Sequence, residues 1–348
     1  MFNQFKTRAK VLKQVLVIGP SWVGDMVMAQ SLFQTLHQLF PGIAIDVLAP
    51  AWSQALLARM PEVRDTITMP LGHGVLELGI RYRLGHTLRT RGYDWVLVLP
   101  NSFKSALIPW WANIPRRTGY LGELRWGLLN DVRRLDKTRL PMTVQRFVAL
   151  GLDPGEPLPQ ELPRPALTVN PAGVESALNR LGLSYQQRLL ALCPGAEYGS
   201  AKRWPVEHFA AVARVYLNQD WAVWLLGSSK DLEVTTAIAE AALGCVNLAG
   251  RTQLEEVIDL LSLATVVVSN DSGLMHIAAA LDRPLVAIYG SSDPGFTPPL
   301  SPQAHILHLG LPCSPCFKRE CPLGHLNCLR QLVPTQVLTQ LTALTPGL

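Results

Sequence analysis

Several short polar turns, each at the end of an apolar run, hold most of the residues of this chain that could do chemistry. The most informative is Asn270-Asp271-Ser272-Gly273, between the β-branched run Val266–Ser269 and the apolar stretch Leu274–Leu281. The pattern predicts a buried strand, a turn and a short helix, with a second strand at Leu285–Tyr289. Ligands of open α/β sheets bind at the carboxyl ends of strands. A helix starting there offers free N–H groups and a favourable field to an anion. Helix capping alone would account for Asp271 and Ser272 but not for His276.

Three other turns have the same form. Pro20-Ser21-Trp22-Val23-Gly24-Asp25 follows the strand Val15–Gly19 and precedes a helical stretch. Gly24 permits close backbone approach, and Asp25 suits either a general base acting on a hydroxyl or the N-cap of that helix. Pro194-Gly195-Ala196 ends the strand Gln187–Cys193, and the loop beyond it carries Lys202 and Arg203. Cations beside a helix start suit a diphosphate, and Gly195 would let the same group approach; the bland alternative is a solvated basic surface. Gly227-Ser228-Ser229 closes a further strand, with Asp231 or Glu233 placed to accept from a ribose or a base.

Some chemistries are disfavoured. The chain has no D-x-D pair to bring a metal to a diphosphate, so Lys202 and helix N-termini would have to offset leaving-group charge. Neither a G-x-G-x-x-G nor a Walker A pattern occurs, which counts against a dinucleotide oxidoreductase and a P-loop kinase. Cys313, Cys316, Cys321 and Cys328, with His325 among them, have spacing compatible with a structural zinc; free reduced thiols are the rival.

The elements that must position these residues follow from length and pattern. A chain of 348 residues, 48% apolar and 16% charged, suits two globular domains. Its net charge of +5, without a long basic block, argues against general nucleic-acid binding and suits an acidic substrate or an anionic membrane surface. No apolar run approaches the roughly 20 residues of a membrane span. The N-terminal stretch with Lys6, Arg8, Lys10 and Lys13 lacks a signal-peptide core, and a cytoplasmic location is expected. Strands and helices alternate through both halves, which predicts doubly wound parallel sheets. Further strands are expected at Ile43–Leu48, Thr66–Met69 and Asp94–Leu99, and helices at Trp52–Met60 and Ile80–Arg91. The proline-dense stretch 154–171 reads as an extended linker. The predicted domains are 1–170 and 171–348, the second including the Cys-rich segment 313–328 and a terminal helix at Pro334–Leu344.

Taken in order, P-S-W-V-G-D, P-N-S-F-K-S-A-L (Pro100–Leu107), P-G-A-E-Y-G-S-A-K-R-W-P (Pro194–Pro205) and N-D-S-G-L-M-H (Asn270–His276) resemble the ADP-heptose:lipopolysaccharide heptosyltransferases, most of all their type II branch. The resemblance runs from about Val15 to Pro299. It implies a GT-B fold, with two Rossmann-like domains facing a central cleft, the acceptor on the N-terminal domain and ADP-heptose on the C-terminal one. It implies inverting transfer of L-glycero-D-manno-heptose onto the first heptose of heptosyl-Kdo-lipid A, at the cytoplasmic face of the inner membrane, with peripheral membrane contact and no cofactor required for catalysis. Asp25 matches the family's base, and Lys202 its diphosphate lysine. Asp271, Ser272, Gly273 and His276 match its donor turn, with Gly195 and Asp231 also on the donor side. Trp22, Asn101, Lys104, Arg116 and Arg117 fall on the acceptor side, where one of the three basic residues would meet anionic groups of the acceptor; solvated surface charge is the alternative. In this fold a terminal helix packs back across the domain junction. The rivals are a heptosyltransferase with another core acceptor, a nucleotide-sugar epimerase sharing the fold, and a sugar-nucleotide-binding protein without catalysis.

Overall fold

The computed structural model describes residues 12–72, 74–184 and 188–346. Lys6, Arg8, Lys10 and the first residue of the expected strand Gln187–Cys193 lie outside them. The chain forms two compact units. Among the described residues, one comprises those up to Ser21, Ser31–Leu140 and Gln145–Pro163; the other comprises Trp22–Gln30, Pro141–Val144 and those from Arg164 onward. Among the described residues no helix is long and apolar enough to cross a membrane.

The N-terminal half contains β1 (Gln14–Ile18), α1 (Val23–Leu39), β2 (Ala44–Pro50), α2 (Gln54–Leu57), β3 (Val63–Met69), α3 (Leu78–Leu88), β4 (Trp95–Val98), α4 (Phe103–Trp111), β5 (Arg116–Tyr120), β6 (Asp131–Arg133) and α5 (Thr143–Gly151). The strands form one parallel sheet in the order β3-β2-β1-β4-β5-β6. Strand order reverses between β1 and β4, so the turns after these two strands, holding Pro20 and Asn101, flank the switch point where such sheets bind ligands. The residues that begin α1, Val23–Gln30, group with the second unit. Four residues of β1 and all four of β4 are buried, as expected of central parallel strands.

The C-terminal half contains α6 (Pro171–Leu181), β7 (Leu189–Cys193), α7 (Val206–Leu217), β8 (Ala222–Leu225), α8 (Leu232–Ala241), β9 (Val246–Asn247), α9 (Leu254–Leu261), β10 (Val266–Asn270), α10 (Gly273–Ala280), β11 (Leu285–Ile288), β12 (Ala304–Leu307), α11 (Asn327–Arg330) and α12 (Pro334–Leu344). Their parallel sheet runs β12-β11-β10-β7-β8-β9, the same order as the first, with its switch point between β7 and β10. Both strands are buried along their whole length. The core gathers Trp204 and Phe209, the sheet residues Leu190, Val268 and Ile288, and Val337 and Leu341 from α12.

The expected elements are largely present, with three differences. α6 occupies a stretch not assigned a helix; Pro171 starts it and Gly182, with φ of 66°, ends it in the left-handed conformation that glycine adopts without penalty. The proline density before it hid both signals. The helix expected over Trp52–Met60 is a short 3₁₀ turn, Ala51–Ser53, followed by the single turn α2. The edge strands β6 and β12 are short and half-buried, and neither has a β-branched run to announce it. The terminal helix α12 packs on α7 and β11 and belongs to the second unit's core.

The first unit buries a carboxylate in its core. Asp46 is fully buried, and its carboxylate accepts from Tyr93 Oη at 2.6 Å and from Arg64 at 2.7 and 2.8 Å. Burial and this carboxylate push the Tyr93 hydroxyl well above its usual range. Removing Asp46 leaves the buried Tyr93 hydroxyl without its acceptor, while Arg64 and Arg91, both exposed, return to solvent. Asp46→Ala is therefore expected to cost about 1–3 kcal/mol of stability, read as a lowered denaturation midpoint in urea.

Candidate active site

The carboxyl end of β10 is tied to the loop after β7 by one buried side chain. Asn270 accepts from Trp204 N–H at 3.1 Å and donates to the Pro194 carbonyl at 2.7 Å. Trp204 itself is buried, with its indole N–H on the Leu332 carbonyl at 2.7 Å. This clamp fixes the short 3₁₀ turn Ser200–Lys202 and brings Lys202 to Asp271, Nζ to Oδ2 at 2.5 Å. Ser292, on the loop after β11, donates to the same carboxylate oxygen at 2.5 Å. The Lys202 ammonium also lies 5.1 Å from the centre of the Tyr198 ring.

Beyond Asp271 the chain enters α10. Ser272 has extended N-cap backbone angles but makes no side-chain cap bond; its hydroxyl instead lies 3.3 Å from that of Ser269. The first N–H groups of α10 are thus not satisfied by a capping side chain, which leaves them for an anion. Gly273 packs against Val23, where an added Cβ would stand 2.7 Å from the valine Cβ. Gly24 is equally constrained, since a Cβ there would lie 2.5 Å from Cδ2 of His276. The imidazole of His276 is buried, and burial lowers its pKa to about 4, against the opposing pull of Asp271. It is neutral at physiological pH.

Asp25 is the third residue of α1, inside the first turn, so it is not the N-cap. Burial of its carboxyl raises the pKa to about 6; Lys202 opposes the shift and Asp271 adds to it. Above pH 6 the side chain is an ionised carboxylate of raised basicity, the state a general base for a hydroxyl requires. Asp25, Lys202, Asp271, Ser272, Gly273 and His276 therefore all belong to one unit and one neighbourhood.

Other expected residues are placed differently. The space a side chain would take at Gly195 is filled by the carboxylate of Asp231, 2.5–2.6 Å from a built Cβ. Asp231 is buried and accepts from the Ser228 N–H at 2.9 Å and hydroxyl at 2.8 Å. It closes a capping box, so the structure shows it serving its own turn. Glu233, in the first turn of α8, is exposed. Trp22 is exposed and Lys104 half-buried, while Asn101, exposed, accepts from Arg125 at 3.2 Å. Arg116 and Arg117 begin β5, at the amino end of the sheet and away from its ligand-binding end. Arg116 pairs with Asp131 at 3.1 Å and Asp153 at 3.3 Å, and Arg117 donates to the Leu128 and Ile114 carbonyls. These two are engaged in holding their strand.

The four C-terminal cysteines are free thiols. Backbone N–H groups of residues 323–326 draw the Cys321 thiol below its usual pKa, and burial with the neighbouring thiols raises that of Cys328. Among the described residues, no three His, Cys, Asp or Glu side chains are grouped to hold a metal ion. Cys313, Cys316 and Cys321 lie near enough to act on the Cys328 thiol.

Two contributors were missed in the sequence. Asn270 stands in the quoted motif but was given no role, and Ser292 was not singled out. The signal for Ser292 is that Gly290-Ser291-Ser292-Asp293 follows β11 as the other polar turns follow their strands.

Two doubly wound sheets, with a basic residue and a helix start beside a carboxylate of raised pKa, define a glycosyltransferase of GT-B type. A model of glycosyltransferase family 9 (heptosyltransferase) matches residues 81–327, and the chain belongs to that family. It is 50% identical over 341 residues to lipopolysaccharide heptosyltransferase 2 of Salmonella typhimurium, covering 95% of this chain and 98% of the relative. It is 51% identical over 307 residues to lipooligosaccharide heptosyltransferase 2 of Haemophilus influenzae, covering 85% and 88%. The solved structure of E. coli ADP-heptose lps heptosyltransferase II matches with a TM-score of 0.85 at 47% identity, covering 95% of this chain and 98% of that one.

Two predictions follow from the packing around Asp25. A carboxyl whose folded pKa is raised favours the native state only while protonated; stability is lost as pH climbs from about 4 to about 6 and stays lost above. Asp25→Asn should stabilise the protein at pH 7.5 by about 1–3 kcal/mol and leave it unchanged at pH 4, by denaturant titration at both pH values. Gly24→Ala should cost about 1–3 kcal/mol through the clash with His276, measured the same way.

Proposed function

We propose that this heptosyltransferase transfers L-glycero-D-manno-heptose from ADP-heptose onto the first heptose of heptosyl-Kdo-lipid A, with inversion and with Asp25 as general base. The observation that carries this is the raised carboxyl of Asp25 in the same neighbourhood as the Lys202–Asp271–Ser292 cluster and the start of α10. Relatives of about half identity along nearly the whole chain, named for type II transfer, support the choice of acceptor.

Inversion needs a single in-line displacement. The acceptor hydroxyl oxygen attacks the anomeric carbon of the donor, and its proton passes to the Asp25 carboxylate. The bond from that carbon to the diphosphate oxygen breaks, and its electron pair leaves on ADP. Lys202 and the free N–H groups at the start of α10 meet the charge that develops there. Ser292 and Lys202 fix the rotamer of Asp271, which is thereby placed to accept from donor hydroxyls. Neutral His276 serves as a rigid wall beneath Gly24. Trp22, Asn101 and Lys104 are assigned to the acceptor, whose lipid anchor brings the enzyme to the cytoplasmic face of the inner membrane.

Asp25→Asn should bind ADP-heptose within about twofold of the wild type by calorimetry and lose about 10²–10⁴-fold in transfer rate. Lys202→Ala should instead weaken binding of ADP itself by about 10–100-fold. Unchanged turnover in Asp25→Asn would remove that residue from the chemistry.

A further inference from the structure

The first unit carries an unusual surface around the start of α4. Nearly half of the large apolar side chains that are exposed fall between Val75 and Trp126, about a seventh of the chain. The same stretch holds eight basic and three acidic residues, a net +5 equal to that of the whole protein. Apolar exposure and positive charge are thus concentrated in one part of the sequence.

The fold gathers part of that stretch into one face, while Arg89, Arg91, Arg116 and Arg117 lie at the amino ends of β4 and β5, Arg91 paired with Asp65 and Arg116 with Asp131 and Asp153. Arg81 donates to the carbonyls of Leu76 at 2.5 Å, Val75 at 2.9 Å and Lys104 at 3.3 Å, so it binds the loop after β3 to the first turn of α4. Glu123 accepts from the Phe103 N–H at 2.9 Å, and Arg125 donates to the carbonyls of Pro100, at 2.7 Å, and Tyr120. These bonds dock the loop after β5 onto the same helix start. Gly85 lets α3 and α4 approach closely, since a Cβ there would be 2.6 Å from Cβ of Trp111. Leu76, Leu78, Phe103, Leu124 and Trp126 therefore project from three segments pinned to one helix terminus, at the carboxyl ends of β3, β4 and β5. Leu124 is 81% exposed and Trp126 63%.

The charge beneath them is only partly offset, by Glu123 acting on Arg125. Arg81 and Arg125 are both buried, and among the described residues neither forms a salt bridge. Their guanidinium groups are spent on carbonyl and amide oxygens, which carry no compensating charge. An anion approaching this face meets the field of two fixed cations and of Lys104, offset in part by the Glu123 carboxylate that occupies the start of α4. Leucine and tryptophan side chains over a cationic base form the composition that enters the headgroup layer of an anionic bilayer.

We propose that this face, with Leu124 and Trp126 as its outermost side chains, seats the enzyme on an anionic membrane surface. The proposal rests on the lipid-linked acceptor assigned above and names the surface that meets the membrane. Leu124 and Trp126 enter the lipid, while the field of the buried arginines favours anionic headgroups.

The test uses the full chain in flotation with vesicles of phosphatidylethanolamine and phosphatidylglycerol. The double variant Leu124→Ser/Trp126→Ser should lose about tenfold in bound fraction, and wild type should bind phosphatidylcholine vesicles about tenfold less. Leu243→Ser, at an 84% exposed leucine of the second unit, is the control and should bind as wild type. All three proteins should transfer equally to a deacylated, water-soluble acceptor. Wild-type levels of binding by the double variant, equal loss in the control, or no preference for anionic lipid would overturn the proposal. So would a change in the double variant's oligomeric mass with vesicle binding intact, which would make the face a contact between copies. Absence of transfer to the soluble acceptor by wild type would count against the assigned reaction and leave the vesicle result standing by itself.

Discussion

The ion pair between Lys202 and Asp271 is the constraint on which the candidate site depends. It joins the loops after β7 and β10, the two strands at the switch point of the second sheet. It is held from below by Asn270 and from the side by Ser292. A buried pair of this kind is weak evidence for stability, because desolvation offsets most of its Coulomb energy. Its value is positional: the ammonium stays where a diphosphate can reach it, and the carboxylate is held in one rotamer. Both charges also act on Asp25 with opposite signs, so burial is left to decide that carboxyl's basicity.

The same region shows how the chain accepts local cost for chemistry. The shift at Asp25 is a penalty on the ionised native state at neutral pH. His276 is buried without charge, and Gly24 and Gly273 are required because the His276 ring and Val23 occupy the space a side chain would need. None of these choices improves packing over a plain apolar core. Together they bring backbone N–H groups, a cation and a base into one dry neighbourhood, where electrostatic stabilisation of a developing charge is strongest.

Much of this was legible in the sequence because turns at strand ends have a chemical signature. Gly24, Lys202 and Asn270–Gly273 could be found from residue type and from the apolar runs before them. The alternation of runs also announced two doubly wound sheets. What was hidden mostly depended on partners distant in sequence. Ser228 and Asp231 have capping-box spacing, but nothing near Asp231 shows that its carboxylate would fill the space at Gly195. Arg116 and Arg117 look like a basic pair until β5 is seen to begin with them, beside Asp131 and below the ligand end of the sheet. Ser292 acts only through Asp271, 21 residues earlier in the chain. α6 was masked by the prolines around it, although Pro171 and Gly182 mark its two ends.

The central claim is a reaction, and one assay meets it directly. Purified protein is given ADP-heptose with heptosyl-Kdo-lipid A or, in parallel, Kdo-lipid A, between pH 5 and 8, and the product's anomeric configuration is read by NMR. The account predicts an inverted product with the heptosylated acceptor alone, formed at a rate that falls below about pH 6 as Asp25 takes up its proton. Product from Kdo-lipid A, retention of configuration, or an altered nucleotide sugar formed with no acceptor present would contradict it.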